Sequence, residues 1–451
     1  MSQTPSRHQH RLDRGASPAR GLRNAGLLAL GLGIAVATAP TAGADGESSL
    51  RRRIRSFRER LKGLRKEQRM ERRLVLSELR GALRNLVDPV KPSWREAKHG
   101  KGSLSLGPGG LPILRLRGTP EEIGAQHGTL LKREIKVLVD RYLPGFLGSE
   151  LAKARRDARR FLPHISEARI REMRAMAKAA GVSFEDVLLA QTFADQYRAW
   201  GCSCVTATGD ARPSGPAFGR NLDFIDMGFL HRFSLIVVIE PADGRRVASV
   251  SFPGLCGVIS GMNEDGLAAA VMVVHTGSGC ATGTPFGLLF RDVLERCKTS
   301  SQVPAVLSGS TITVTNNLMV CDAGGDARVF ELDHASPRCV ERRPDEDGLL
   351  YSTNHFNAKS RREPRLSYVY FNSLKRMRDL RGCCKGQVDL GEIRQGLRKT
   401  APTIANVQSM IFEPRDGRLH LSVGKKPAAK KDYVKLTRED LFPGRETERG
   451  S

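Results

Sequence analysis

The stretch Gly201-Cys202-Ser203-Cys204, followed by Gly219-Arg220-Asn221-Leu222-Asp223-Phe224, decides how this chain is read. Cys202 stands 18 residues before Arg220 and 21 before Asp223. A free cysteine titrates near ~8.5, and a cation beside it favours the reactive thiolate. Taken alone, a cysteine in an apolar strand reads as a small buried hydrophobe; the arginine and aspartate downstream turn it into a candidate nucleophile. Cys204 competes for the role, because strand alternation puts it on the same face as Cys202. Arg220 and Asp223 alternate poorly with one another on an ideal strand, so a strand-to-loop transition is expected between them.

Working outward, the sequence after Trp200 has the texture of strands and turns. Residues 205–207, 234–239, 246–251 and 257–259 are β-rich. Asn263-Glu264-Asp265-Gly266 supplies a tight turn before an apolar strand over 267–274. A helix at about 286–298 follows, then strands at 311–321, 327–332 and 349–352. Helices near 366–379 and 389–398 come next. A closing hairpin pairs 405–413 with 417–423 across Asp416-Gly417. Upstream, Ile113, Leu114 and Leu116 suggest a strand. Thr119-Pro120-Glu121-Glu122 is a capping box with Pro at the first helical position. Helices are expected at 150–161, 165–180 and 183–196, the last with a Ser183–Asp186 capping signal. Helices, then a block of antiparallel strands, then interspersed helices indicate a layered α/β (α+β) fold rather than alternating βαβ units.

These motifs resemble the N-terminal-nucleophile cysteine hydrolases: isopenicillin N acyltransferase, bile salt hydrolase, penicillin V acylase and acid ceramidase. The segment RGTPEEIGAQHG (117–128) is similar to the start of the catalytic domain in secreted relatives of isopenicillin N acyltransferase. GMNEDGLAAAVMVV (261–274) resembles a hairpin of bile salt hydrolases. The resemblance covers roughly 111–440 and implies a four-layer αββα sandwich with antiparallel sheets. It implies self-cleavage at 201/202, which makes Cys202 the first residue of the mature catalytic chain. The thiol is then the nucleophile and the α-amino group, with a reference pKa of ~7.7–8.0, is its base. Gly201 and the order Cys202-Ser203 fit that position; Cys204-Val205 does not. By the same resemblance Asp223 orients the α-amino group and Arg220 favours the ionised thiol. Asn354, in Ser352-Thr353-Asn354-His355-Phe356, donates to the oxyanion. Arg365 follows it in REPRLSYVYF, with Arg361 and Arg362 close enough to leave the register open. Val273 or Val274 stands where bile salt hydrolases carry a second polar oxyanion residue, which points to a backbone N–H as second donor. His127 reads as structural, Asn221 as a structural turn residue, and His355 as a packing or substrate-contact residue.

The function implied is an exported, self-processing cysteine amidohydrolase or acyltransferase. It would act on N-acylated small molecules, lipids or peptides through an acyl-thioester at Cys202, without metal or organic cofactor. Two alternatives are carried: a phospholipid or ester deacylase using the same site, and a non-catalytic basic surface-binding protein that retains the fold.

The 451 residues suffice for one large domain or two ordinary ones. The net charge is +25, and +21 without the first 44 residues. Those 44 read as a secretory signal peptide: a basic stretch to Arg23, an apolar run from Ala25 to Ala39, and Ala42-Gly43-Ala44 as a cleavage site. The product would be secreted or periplasmic, an uncleaved membrane anchor being the other reading. Residues 45–110 read as a basic amphipathic helical segment and linker. Residues 51–86 carry fourteen Lys/Arg against four Glu. Apolar residues recur there at helical spacing, so residues 50–86 are a candidate contact for an anionic membrane or polyanion. The other reading is a solvated helix packed on the core or on its own neighbour. No motif for specific nucleic-acid readout appears. Residues 441–451 read as a polar tail. None of the nine cysteines forms a metal-type CxxC pair. If one is a free nucleophile, eight remain, which export would permit to pair as disulfides; several free buried thiols is the other reading.

Overall fold

A computed structural model of the chain describes residues 81, 85, 88–197, 201–274, 282–334, 339–358, 368–403 and 405–444. The stretch read as a signal peptide, nearly all of the basic segment, and Arg361, Arg362 and Arg365 lie outside the described residues. Two sheets form the centre. The larger has ten strands in the order β1-β2-β3-β6-β7-β8-β9-β10-β11-β12. They are Ala97–His99 (β1), Gly102–Leu106 (β2), Pro112–Gly118 (β3), Leu235–Pro241 (β6), Val247–Ser251 (β7), Ser260–Asn263 (β8), Ala268–Val273 (β9), Asn316–Cys321 (β10), Ala327–Leu332 (β11) and Cys339–Arg342 (β12). The smaller has six, ordered β13-β4-β5-β14-β15-β16. These are Leu349–Ser352 (β13), Gly201–Ala207 (β4), Ala217–Asp223 (β5), Asn406–Glu413 (β14), Arg418–Ser422 (β15) and Val434–Leu436 (β16). Every pairing is antiparallel except β3 with β6.

Helices cover the outer face of each sheet. Pro120–Leu130 (α1), Glu167–Ala180 (α2), Phe184–Gln196 (α3) and Phe286–Arg296 (α4) lie on the side of the larger sheet, with α1 against β3 and α4 against β7, β8 and β9. Tyr368–Cys383 (α5) and Leu390–Thr400 (α6) cover the smaller sheet at β4 and β5. The sheets face each other through β4 and β9, where Cys204 Sγ lies 3.1 Å from Met272 Sδ. The layer order is therefore helix, sheet, sheet, helix, as the resemblance implies. Alternation divides the core: Cys202 and Cys204 of β4 join the apolar cluster toward the larger sheet, while Val205 joins Met377, Leu380, Ile393 and Leu397 beneath α5 and α6.

The caps form as expected. Thr119 and Glu122 make a reciprocal capping box, and Ser183 accepts from the N–H of Asp186. Both tight turns place glycine at positive φ, Gly266 at 88° and Gly417 at 62°. Two readings are corrected. Within the stretch read as linker, β1 and β2 extend the larger sheet, because Leu104 of a short alternating Ser-Leu run packs into the core. The strand placed at 257–259 lies instead at β8, beginning at Ser260.

Candidate active site

Cys202 sits near the head of β4 and Asp223 at the end of β5, and their register makes the site. Gly201 pairs with Asp223, Cys202 with Leu222, and Cys204 with Arg220. Directly opposed residues share a face, so Arg220 stands with the cysteines in the space between the sheets. Arg220 and Asp223 are three apart and take opposite faces. The transition expected between them is absent: β5 runs unbroken through both residues and ends only after Asp223, so the pair sits on opposite faces of one strand. Asn221 is structural, within the strand rather than at a turn. Its Nδ2 donates to Leu397 O and its Oδ1 accepts from Ser409 Oγ, tying β5 to α6 and β14.

Arg220 is fully buried. Its Nε donates to Ser260 Oγ at 3.1 Å, and Nη1 lies 3.9 Å from Cys204 Sγ. Burial works against its charge, but the thiols of Cys202 and Cys204 raise its pKa overall. Burial pushes the Cys204 thiol up to about 12 despite Arg220, so Cys204 remains a neutral thiol. Burial also lifts the Asp223 carboxyl to about 6, with Arg376 and an Asn406 hydrogen bond opposing. Asp223 Oδ1 accepts from Asn406 Nδ2 at 3.0 Å, and Oδ2 has no hydrogen-bond partner. That open oxygen lies over Gly201: a Cβ on this glycine would stand 2.9 Å from it.

Asn354 lies just past β13. Ser352 pairs with Cys204, so continuing the register sets Asn354 opposite Cys202. The Cys202 N–H donates to Asn354 Oδ1 at 2.7 Å, and Asn354 Nδ2 donates to Val273 O at 2.7 Å. One amide hydrogen of Asn354 is thus engaged, which leaves the other able to donate. The N–H of Val274 is engaged by Thr315 O at 2.9 Å, so it does not serve as the second donor.

The sequence reading missed Arg376. This buried residue of α5 reaches through from the helix layer. Nη1 donates to Cys202 O and, at 3.0 Å, to Ser203 Oγ; Nη2 donates to Asn354 Oδ1 at 2.7 Å. Burial lowers its pKa, and Asp223 and the two thiols pull the other way. The signal was available, since Arg376 shares the buried face of the expected helix with Ser373, Met377 and Leu380. His127 and His355 hold structure: His127 Nε2 accepts from Gly254 N, and His355 Nδ1 meets Ser373 Oγ at 2.8 Å. Burial draws each to about 4, so both rings are neutral near pH 7. Cys202, Cys204, Cys256, Cys297, Cys321, Cys383 and Cys384 are thiols. Among the described residues no cluster has the makings of a metal site, and no helix is long and apolar enough to cross a membrane.

An apolar cleft opens beside this site. Phe224, next after Asp223, and Ile259, just before Ser260, line it together with Phe252, Phe193, Leu143 and Phe286. Cys202 itself is only 2% exposed, so its thiol is closed off from solvent.

Two facing antiparallel-rich sheets lie between helical layers, with a buried cysteine near the head of an inner strand, which is the arrangement that the resemblance to the N-terminal-nucleophile hydrolases implies. Residues 211–427 match the family model described as acyl-coenzyme A:6-aminopenicillanic acid acyl-transferase, so the resemblance read from the motifs stands. The chain is similar to an uncharacterized protein of Archaeoglobus fulgidus, 26% identical over 333 residues, covering 60% of this chain and 54% of that protein. It is also similar to the acyl-coenzyme A:6-aminopenicillanic-acid-acyltransferase 40 kDa form of Emericella nidulans, at 22% identity over 251 residues, covering 53% of this chain and 68% of that protein. Among solved structures, a mutant conjugated bile acid hydrolase of Clostridium perfringens aligns at TM-score 0.38 and 14% identity, covering 54% of this chain and 95% of that one. The chain spans about half the length of the first curated relatives it matches.

Proposed function

We propose that this chain is a self-processing cysteine amidohydrolase or acyltransferase whose nucleophile is Cys202. The observation that carries the reading is the open Asp223 carboxylate oxygen buried over Gly201, beside a Cys202 N–H held by Asn354. A buried carboxylate oxygen without a partner is costly unless something arrives to pair with it. Cleavage of the 201/202 bond supplies that partner. The Cys202 thiol attacks the Gly201 carbonyl, the C–N bond breaks, and Cys202 keeps its nitrogen as a new α-amino group. Water then releases the Gly201 carboxylate from the thioester. Asp223 holds the α-amino group, which takes the proton from Cys202 when a substrate is attacked.

In turnover the thiolate adds to the acyl carbonyl of an amide. Arg220 stabilises the thiolate, and the remaining N–H of Asn354 donates to the oxyanion. Arg376 fixes Asn354 and the Cys202 backbone together. The amine leaves, and water or an acceptor amine resolves the acyl-thioester. Arg365, following the oxyanion asparagine, remains a candidate for the same machinery. An exported location fits the leader, and residues 50–86 are proposed to contact anionic surfaces. The test is to incubate processed protein with a library of N-acyl amides, with and without acceptor amines, and map any added acyl mass. Amine release with the acyl group trapped on Cys202 supports the reading; labelling confined to another residue refutes it.

A further inference from the structure

We infer that Asn317 of β10 is a positioning residue for Asn354. It fixes the oxyanion donor to the larger sheet while the nucleophile stays on the smaller one. The inference rests on the function proposed above and names a residue that aims that same site.

Strand β13 pairs with β4 only as far as Ser352, opposite Cys204. Residues 353–358 are in neither helix nor strand, yet Thr353, Asn354 and His355 are buried. Buried carbonyls and N–H groups outside a ladder need partners from elsewhere. Two side chains of the larger sheet supply them. Asn317 Nδ2 donates to Ser352 Oγ at 3.1 Å and to the carbonyls of Thr353 and His355, each at 3.0 Å. Glu331 Oε1 accepts from the N–H of Asn357 at 2.7 Å, and its Oε2 from that of Ala358 at 3.2 Å. Arg342 Nε donates to Glu331 at 2.7 Å, and Arg342 Nη2 reaches back to Tyr351 O at 3.2 Å. Asn317 and Glu331 are directly opposed in the β10–β11 register, so they stand on one face, and both are fully buried.

Asn354 lies between the two carbonyls that Asn317 takes. The peptides on either side of it are held, so the direction in which its side chain leaves the backbone is held too. The far end of that side chain is tied to the same sheet. Asn354 Nδ2 donates to Val273 O, and in the β9–β10 register Val273 pairs with Asn316 and Met272 with Asn317. Backbone and donor of Asn354 are thus anchored on the neighbouring strands β9 and β10, whereas Cys202 belongs to β4 of the other sheet. What Asn317 controls is the separation of oxyanion donor and thiol across the two sheets.

The chemistry of the amide fits this task. Three oxygens converge on Nδ2, which sets the orientation of the group, since a carboxamide turned over would place its own oxygen against them. Asn317 Oδ1 is buried with no hydrogen-bond partner. Such an atom is destabilising, and an apolar residue of similar shape would avoid it. What asparagine supplies here is the pair of N–H donors facing residues 352–355.

The test has two arms and uses Asn317→Ala and Asn317→Asp, the second keeping the shape while removing the donor. In the first arm each change is made in a whole Cys202→Ala chain, and hydrogen–deuterium exchange is followed by mass spectrometry. Exchange over 353–358 should quicken at least about tenfold, and exchange over β4 should not change. In the second arm, processed proteins are assayed on N-octanoyl aminomethylcoumarin amide, with rates normalised to the processed fraction. Both variants should lower kcat about 10–10²-fold, while KM and the rate of Cys202 alkylation by iodoacetamide change less than about twofold. Asn317→Ala combined with Asn354→Ala should be no slower than Asn354→Ala alone, because Asn317 acts through Asn354. Unchanged exchange over 353–358 overturns the inference whatever the turnover. Faster exchange with a further loss of kcat in the double variant also overturns it and leaves the proposed function standing. Faster exchange in a protein whose wild type turns over no amide upholds the hold on the segment and rejects the amidase reading.

Discussion

Asp223 carries the sharpest consequence at the scale of single residues. Its carboxyl is raised to about 6 by burial in the uncleaved chain. A raised acid pKa means the folded state binds the proton more tightly than the unfolded state, whose pKa is ~3.9. The stabilising contribution is therefore fully present below about pH 4 and lost as pH rises through about 6. On the order of 3 kcal/mol is at stake. In a Cys202→Ala background, which keeps the chain whole, Asp223→Asn should raise the unfolding temperature at pH 7.5 and not at pH 4. Scanning calorimetry of both proteins at the two pH values checks this; an equal shift at both would mean that Asp223 is ionised and paired throughout.

Arg376 gives a second residue-level expectation. One planar fork serves Cys202 O, Ser203 Oγ and Asn354 Oδ1, and a lysine cannot span three acceptors. Arg376→Lys should slow both self-cleavage and turnover at least about tenfold with secondary structure intact. Asn354→Ala should lower kcat about 10²–10³-fold with little change in KM, because its donor acts as charge develops. Steady-state kinetics on the processed proteins decide, and a normal kcat in the asparagine variant removes it from the oxyanion site. The sequence could single out Cys202, Arg220, Asp223 and Asn354, which the structure brings together, because each stands in a short motif with strand texture. Arg376 was not singled out because its place on the apolar helix face signals burial only, and no local pattern ties that helix to Cys202.

Among elements, the β4–β5 hairpin does most to define the site. Its register sets Gly201 under Asp223 and Cys204 beside Arg220. Gly201→Ala would put a methyl 2.9 Å from Asp223 Oδ2, closer than real contacts allow, and displace the carboxylate. Self-cleavage should slow at least about tenfold while the fold forms, as judged by the rate of fragment appearance on gels. Cleavage at the wild-type rate would show that the carboxylate position does not matter. Helices and strands could be placed along the chain here because the capping residues and glycine turns are strong local signals. Strands β1 and β2 were not. Only Leu104 of that Gly-Ser-rich run is apolar and buried, and what makes it strand is the neighbouring β3, a tertiary cause.

At the scale of the whole molecule, the four layers explain why Cys202, the proposed nucleophile, is buried and why an apolar cleft lies near it. The basic segment is a separate matter. Its distal end docks on the catalytic body, with Asn85 Nδ2 donating to Gly228 O at 3.0 Å. A deletion over 45–78 would spare that contact. It should weaken binding to vesicles rich in anionic lipid at low salt and leave turnover of a soluble amide unchanged. Vesicle co-sedimentation checks this, and undiminished binding would free the segment from that role. The layered architecture could be read from the order of helices and strands. The cleft could not, because its walls come from residues between 135 and 287 that converge only in the folded chain.

The central claim is that Cys202 becomes an N-terminal nucleophile by cutting the bond before it. Intact mass and N-terminal sequencing of the purified full-length chain, beside Cys202→Ala and Cys204→Ala, test it most directly. The account predicts that wild type and Cys204→Ala yield a catalytic fragment of 250 residues beginning at position 202. Cys202→Ala should stay whole and inactive. Active protein that remains one uncut chain, or a fragment that begins at Cys204, would contradict it.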